Sequence, residues 1–520
     1  MGKDIKTREH PIYQLRKQQL FWNRLAYYGG RPYIDARLQR AANETNVSWE
    51  GDVTEGIVGR KARACLVNDA GRVGNKINQY LSSKPVTRDG ADTDWLGNVT
   101  GDHHGIHEFI ESVSTALTHG GWCWLQVDRA AQPRDDDGNP IAYTAESARR
   151  YPVRWKLYEA LDVPDWHIDD SGSIIWLITR TNQRFDADPN AEPVDAVITT
   201  LYYISPDDGT VHITEEANRQ VPVELRKNQP ITGLHRIPFV LVGRTDSRPW
   251  WYDDVENIQC QILNLDSLHN ENLTDGVYPQ LVVPYSLVQS LDADLKLDRL
   301  SGQDRIVLQR ELIKGRKNPL VEDTEDKGVT RYIQPNAGDM AQIVNEANRK
   351  RGLLFDMAGL ALFNKETRQI QTAESKQFDQ LDTNNTLINR SLILQHAEEQ
   401  LIELSVMFNP AFKRYAPVYP TRFDVVDVTA LSAAVSTISN MADKPPIMNK
   451  MLLIAGVKIV REIGGCDEEM YNAALRQIDE MPDEQETPKI DKLALLARLT
   501  GKPEEAEEEE DEDDDDGKEE

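Results

Sequence analysis

The sequence predicts an α+β, helix-rich fold, with most strands in the first half and long helices dominating the second. Three observations predict it. All ten tryptophans fall between Trp22 and Trp251 of the 520 residues. Within that half, short apolar runs rich in β-branched and aromatic residues are divided by turn sequences. Beyond residue 338 the apolar residues recur at three, four and seven, the spacing of a helix face.

Taken in order, YQLRKQQLFWNRLAYYGG is an amphipathic helix with a stripe of Leu15, Leu20, Phe21, Leu25 and Tyr28, stopped by Gly29-Gly30 and Pro32. A second helix is expected from about Glu55 to Ser82, carrying Val58, Ala62, Cys65, Val73, Ile77 and Leu81. A third, HEFIESVSTALTHGG, ends at Gly120-Gly121. Strands follow at WCWLQVD (Trp122 to Asp128), SIIWLITRT after the turn DDSG, TTLYYIS, and TVHITEEA after the turn PDDG. The last three read as an antiparallel meander.

After Pro238 the character changes. IPFVLVG is a strand, and from about Asp253 a helix begins whose stripe is Val255, Ile258, Ile262, Leu265 and Leu268, with Asn264, Asp266, Asn270 and Glu271 on other faces. A small β-rich insertion runs from Pro279 to Pro335 and contains the basic run RELIKGRKNP. Gly338 to Ala358 is again a helix. The stretch NKETRQIQ interrupts it without an apolar period, and a very long helix starts at Thr372 as N-cap and continues to about Phe408. Leu387, Leu394, Leu401 and Phe408 recur every seven residues along it, supported by Ala397 and Leu404. Short helices broken at Lys444-Pro445-Pro446 and Gly464-Gly465 complete the folded part.

Composition excludes several classes. The net charge is −27, of which residues 501–520 hold −12 through fourteen acidic residues and two lysines, leaving −15 on the rest. That run repels itself and is expected to be a disordered tail. So acidic a chain is a poor sequence-specific duplex binder, a task that needs clustered cations. No run is long and apolar enough to span a membrane, and MGKDIKTREHPIYQ has no apolar core of a signal peptide, so a soluble protein is expected. Cys65, Cys123, Cys260 and Cys466 are far apart with no CxxC, which suits free thiols.

No catalytic motif stands out in the sequence. GRVGNK (Gly71 to Lys76) lacks the spacing and the Ser or Thr of a phosphate-binding loop, and GxSxG and HExxH are absent. HHGIH (His103, His104, His107) has only weak metal-ligand character and suits a polar loop or helix cap better. Asp169-Asp170 and Asp207-Asp208 stand beside glycine, as turn residues do. No enzyme, cofactor or metal is expected.

The order of parts, α+β domain, helix, small β-rich insertion, helix, irregular loop, very long helix, returning strand, helical bundle and acidic tail, resembles the portal proteins of tailed double-stranded DNA bacteriophages. The stretches that carry it are IPFVLVGRTDSRPWWYDDVENIQCQILNLDSLHNENLTDGVYPQLVV and RYIQPNAGDMAQIVNEANRKRGLLFDMAGLALFNKETRQIQTAESKQFD. The resemblance implies a wing over residues 1–250 and 372–428, stem helices over 251–277 and 338–358, and a clip over 278–337. It further implies a tunnel loop at 359–371, a crown at 429–500 and the acidic tail at 501–520. In that reading Asn364, Lys365, Thr367, Arg368 and Gln369 face DNA. Arg310, Lys314, Arg316 and Lys317 in the clip dock terminase and later an adaptor, and Ile258, Ile262 and Leu265 pack between subunits.

The implied assembly is a homo-oligomeric, dodecameric ring at one capsid vertex of the virion, built in the host cytoplasm. Double-stranded DNA passes non-specifically through it during packaging and ejection. Its implied partners are the terminase large subunit, a head-to-tail adaptor, and the major capsid and scaffolding proteins, with no membrane. The alternative is a capsid-associated scaffolding or DNA-packaging protein without a channel.

Overall fold

The computed structural model describes residues 4–40, 46–52, 57–129, 153–186, 192–231, 234–277, 280–284, 320–322, 329, 331–333, 337–358, 373–421, 423, 450–454, 456–457 and 468–479. They fall in two units, Met1–Phe423 and Asp424–Glu520.

The first unit opens with α1 (Pro11–Tyr28), whose start is capped by His10 Nδ1 accepting the Ile12 N–H at 3.2 Å. Gly29, at φ 67°, ends it, and α2 (Gly30–Arg37) resumes at once. Pro32 therefore does not stop a helix. It sits in the first turn of the next one, where its missing N–H has no partner to lose. The stripe expected on α1 is also out of phase: Leu15, Phe21 and Tyr28 are exposed, while Arg16 and Asn23 are buried beside Tyr13, Leu20 and Ala26. Periodicity places polar residues outward, and here two of them are taken inward to pair with Asp253.

The single helix expected over Glu55 to Ser82 is divided. α3 (Asn46–Glu50) leads into the two-stranded β1 (Gly51–Asp52) and β2 (Ile57–Val58), then α4 (Arg60–Arg63). Ala64 turns extended (ψ 130°), and Asn68 caps α5 (Asp69–Leu81) by accepting the Gly71 N–H at 2.8 Å. A single turn, α6 (Thr93–Leu96), hangs on the Asp92 side chain, and α7 (Ile106–Gly120) ends as expected on a left-handed Gly121.

The sheets follow. β3 (Trp122–Arg129) pairs antiparallel with β4 (Val153–Glu159), which the sequence reading missed. A short 3-10 turn, Ala160–Asp162, leads to β5 (Asp165–Ile168), also missed. β6 (Ile174–Phe185), β7 (Val194–Ile204), β8 (Val211–Ala217) and β9 (Gln229–Pro230) then continue from β5 as a five-stranded antiparallel meander. β10 (Phe239–Gly243) returns to the other side of β3, giving the order β10-β3-β4. Trp124, Leu177, Tyr202, Ile213 and Phe239 form the buried contact between the two sheets.

α8 (Trp251–Val277) is the first of three long helices. Within the expected insertion, β11 (Gln280–Pro284) runs parallel to β12 (Leu320–Glu322) and antiparallel to β13 (Arg331–Ile333). α9 (Ala337–Met357) then packs back along α8, with Leu354 and Ala358 sharing one core with Tyr252, Val255 and Ile262. α10 (Ala373–Phe408) is 36 residues, about 54 Å of helix. Its seven-residue repeat faces inward: Leu387, Leu394 and Leu401 are buried and Phe408 is partly buried, with Leu394, Leu401, Phe408 and the supporting Leu404 in the core that holds β3, β10 and α7. The expected cap Thr372 lies outside the described residues. In the second unit α11 (Glu468–Asp479) buries Tyr471 and Ile478, and its last carbonyl accepts from Lys450 Nζ at 3.1 Å. No described helix is long and apolar enough to cross a membrane.

Candidate functional site

The part of the fold with the most organised polar chemistry is α8. Asp253, Glu256 and Gln259 recur every three residues and face α1, α2 and α5. Asp253 accepts two hydrogen bonds from Arg16 (2.5 and 2.9 Å), one from Asn23 Nδ2 (2.8 Å) and one from the Trp250 N–H (2.8 Å). Glu256 accepts from Arg37 Nε (2.7 Å) and Nη2 (3.1 Å), from the Tyr33 hydroxyl (3.2 Å) and from Gln19 (3.3 Å). Burial raises the Glu256 carboxyl above its ordinary range, and the Arg37 guanidinium beside it opposes that rise. Gln259 donates to the Val67 carbonyl at 3.0 Å and accepts the Ala70 N–H at 2.9 Å. One helix face thus joins α1, α2 and α5 through saturated side chains.

The far end of α8 is fastened too. Arg60 Nη1 donates to Ser267 Oγ (3.0 Å), and Arg63 makes a bidentate pair with Glu271, both contacts 2.8 Å. α9 is locked to it by Arg351, which bridges Asp266 (2.5 Å) and Asp69 (3.2 Å), and by Lys350, which donates to Gln261 (2.6 Å). What this arrangement does is hold a two-helix arm rigidly on the α+β body.

The three expected interface positions sit on this arm, each differently. Ile262 is 1% exposed and belongs to the core of its own chain. Ile258 is partly buried against that core, and Leu265 is half-buried. The apolar residues α8 leaves outward are Leu268 and Leu273. Asn364, Lys365, Thr367, Arg368 and Gln369 of the expected tunnel loop, and Arg310, Lys314, Arg316 and Lys317 of the clip, lie outside the described residues. So do the acidic tail and the proline and glycine breaks of the crown.

The histidine cluster serves as a helix start. His103 takes a positive φ of 73°, and Glu108 accepts both the Gly105 N–H (3.1 Å) and a contact from His104 Nδ1 (3.1 Å). Among the described residues no group of three or more His, Cys, Asp or Glu could hold a metal ion. Asp169 and Asp208 accept backbone N–H groups of their own turns, from Ser171 and Ser173 and from Thr210. Cys65, Cys123 and Cys260 are free thiols.

Two features on α10 were missed by sequence reasoning: a saturated carboxylate, Glu398, and a buried arginine, Arg390, without a carboxylate partner among the described residues. Both stand on a helix whose heptad was plain, yet neither interrupts that repeat, so nothing in the spacing singles them out.

No protein-family model matches the chain, and no curated protein matches it. Among solved structures, the chain is similar to one described as the neck of a native GTA particle computed with C12 symmetry. The identity is 12% and the TM-score 0.34, over 81% of this chain and 98% of that one. It is also similar to a chain from the neck of an empty GTA particle computed with C6 symmetry. There the identity is 10% and the TM-score 0.30, over 79% of this chain and 95% of the other.

Proposed function

We propose that the chain is a subunit of a phage portal: a dodecameric ring at one capsid vertex through which double-stranded DNA is packaged and later ejected. The observation that carries this reading is the pairing of α8 and α9 on either side of a small three-stranded insertion, followed by the 36-residue α10. That order of parts is the one for which the sequence resembles portal proteins. The polar clamps on α8 suit a channel wall that must stay rigid while a duplex slides past.

In this reading the chain is not an enzyme. The ATP-driven work belongs to the terminase that docks on the clip residues Arg310, Lys314, Arg316 and Lys317. Lys365 and Arg368 touch phosphate without reading bases, inside a wall whose net acidity prevents DNA from sticking. The head-to-tail adaptor, the capsid and the scaffolding proteins complete the partners.

The test is electron microscopy of the purified chain with native mass spectrometry on the same sample. A dodecamer of the 59.0 kDa chain, about 708 kDa, with an open axial channel supports the reading. A chain that stays single or forms only compact dimers across salt and protein concentration overturns it.

A further inference from the structure

Where α10 passes the end of β10, the wing holds an open cleft of about 560 Å³. One wall is Arg390, Ile393 and His396 of α10; the other is Gly243, Trp250 and Trp251. The cleft exists because two glycines let the backbone close in. Gly243 (φ 87°) would place a Cβ 2.4 Å from the Gly121 carbonyl oxygen, and Gly121 (φ 80°) lies against the Trp250 ring.

Its chemistry is one-sided. Among the described residues no aspartate or glutamate lines it, in a chain where acidic residues outnumber basic ones by 86 to 59. Arg390 is only 8% exposed, yet among the described residues its Nη1 has no acceptor, and Nη2 has just the Thr118 hydroxyl at 3.4 Å. A second cation, Arg244, stands at the rim with its side chain 81% exposed and Asp246 at 3.7 Å. Burial draws the Arg390 pKa down to about 10, so the group is still charged at neutral pH. A buried guanidinium with most of its donors unused is an incomplete site. Beside it, one turn along, Ile393 is 40% exposed, an apolar contact waiting for cover.

We propose that a second copy of this chain completes the cleft, inserting an aspartate or glutamate that pairs with Arg390 while its apolar neighbour covers Ile393 and the Trp251 ring. The occupant is chosen by charge and by repetition: the excess of carboxylates is carried by every copy, and in a ring each copy offers the same open cleft to the next. This rests on the ring reading above.

The experiment measures assembly of wild type, Arg390→Gln and Ile393→Glu by mass photometry over a dilution series, with a map of the wild-type ring. Expected are a neighbour's carboxylate within ion-pair distance of the Arg390 guanidinium and at least a tenfold rise in the concentration at which either variant dissociates. Ile393 is a surface position, so Ile393→Glu should keep the wild-type melting temperature of the dissociated chain and remains informative if Arg390→Gln folds poorly. Intact rings with unshifted dissociation, a cleft open to solvent, or a cleft filled by a small anion or another protein overturns the inference and leaves the ring standing. A wild-type chain that never assembles overturns the ring reading itself and this inference with it.

Discussion

Arg88 donates two hydrogen bonds to Glu398, from Nε at 2.7 Å and Nη2 at 2.9 Å, across 310 residues of sequence. Glu398 is fully buried and also accepts the hydroxyls of Tyr415 (2.9 Å) and Tyr419 (2.6 Å), so four donors saturate one carboxylate. The pair fastens the middle of α10 both to the segment after α5 and to the chain that follows α10. Glu398→Ala strands a buried guanidinium and is expected to lower unfolding stability by about 3–5 kcal/mol. The double change Arg88→Met with Glu398→Leu removes both charges but still leaves the Tyr415 and Tyr419 hydroxyls without their acceptor, so it should recover only part of that loss. Urea midpoints for wild type, Arg88→Met, Glu398→Leu and the double variant check this; an additive double mutant would mean that the two residues do not act on one another.

The fastening of α8 yields a ranking. Arg16 and Asp253 are each 7% exposed at the side chain, whereas Arg351 and Asp266 are 28% and 25% exposed. An ion pair nearer solvent is screened and its loss is rehydrated, so burial should set the order. Asp253→Ala is expected to cost about 3–5 kcal/mol, because it orphans Arg16, Asn23 and the Trp250 N–H together. Arg351→Ala should cost less, about 1 kcal/mol, because Asp266 rehydrates and Arg72 still pairs with the buried Asp69 that Arg351 also holds. Chemical denaturation of both variants checks the ranking, and equal losses would refute burial as its cause.

How much of this was legible beforehand follows from the same physics. α7, the part of α10 from Leu387 onward and the β6 to β8 meander carry clear apolar stripes or runs bounded by turn residues, and all were read at close to their observed positions. β4 was missed because Arg154 and Lys156 put charge on an outward face of a seven-residue strand, and β5 is only four residues long. α1 was read in the wrong phase because burying a polar residue depends on a partner more than two hundred residues away, as Asp253 is from Arg16. For the same reason the apolar stripe of α8 was visible and its clamps were not. Asp253, Glu256 and Gln259 read as polar faces until Arg16, Arg37 and the Val67 to Ala70 backbone are placed beside them.

Two glycines with similar backbone angles should respond differently to the same substitution. Gly243 has φ 87° and would push a Cβ to 2.4 Å from the Gly121 oxygen and 2.7 Å from Leu117 Cδ1, while Gly172, at φ 83°, has nothing within 4 Å. The left-handed backbone alone costs an ordinary residue about 1–2 kcal/mol, which sets the expected loss for Gly172→Ala. Gly243→Ala adds a backbone collision that only a shift of β10 against the start of β3 relieves, so its loss should be larger by at least about 1–2 kcal/mol. Melting temperatures of the two variants test this, and matching values would show that the strand end yields freely.

Acid sensitivity should centre on His119. It stands in the last turn of α7, 3% exposed, with Nε2 lacking an acceptor and the Glu159 carboxylate 3.8 Å away. Tyr27 and Tyr28 lie against its ring, and Arg24, paired to Glu159 at 3.0 Å, brings a further positive charge. Burial first, and Arg24 second, hold the imidazole pKa near about 3 instead of 6.5. A group whose pKa is depressed in the folded state contributes stability that is present above the unfolded value and lost as pH falls toward the folded one. For His119 that window runs downward from pH 6.5 to about 3. The loss approaches about 1.4 kcal/mol for each pH unit within it. Glu159 works the other way, since burial raises its carboxyl and acid relieves a buried charge. Comparing wild type with His119→Gln at each pH isolates the histidine. The stability difference should shift against wild type by more than about 1 kcal/mol between pH 6.5 and 4.5. A flat difference would mean that the imidazole protonates in place, with water or Glu159 as its partner.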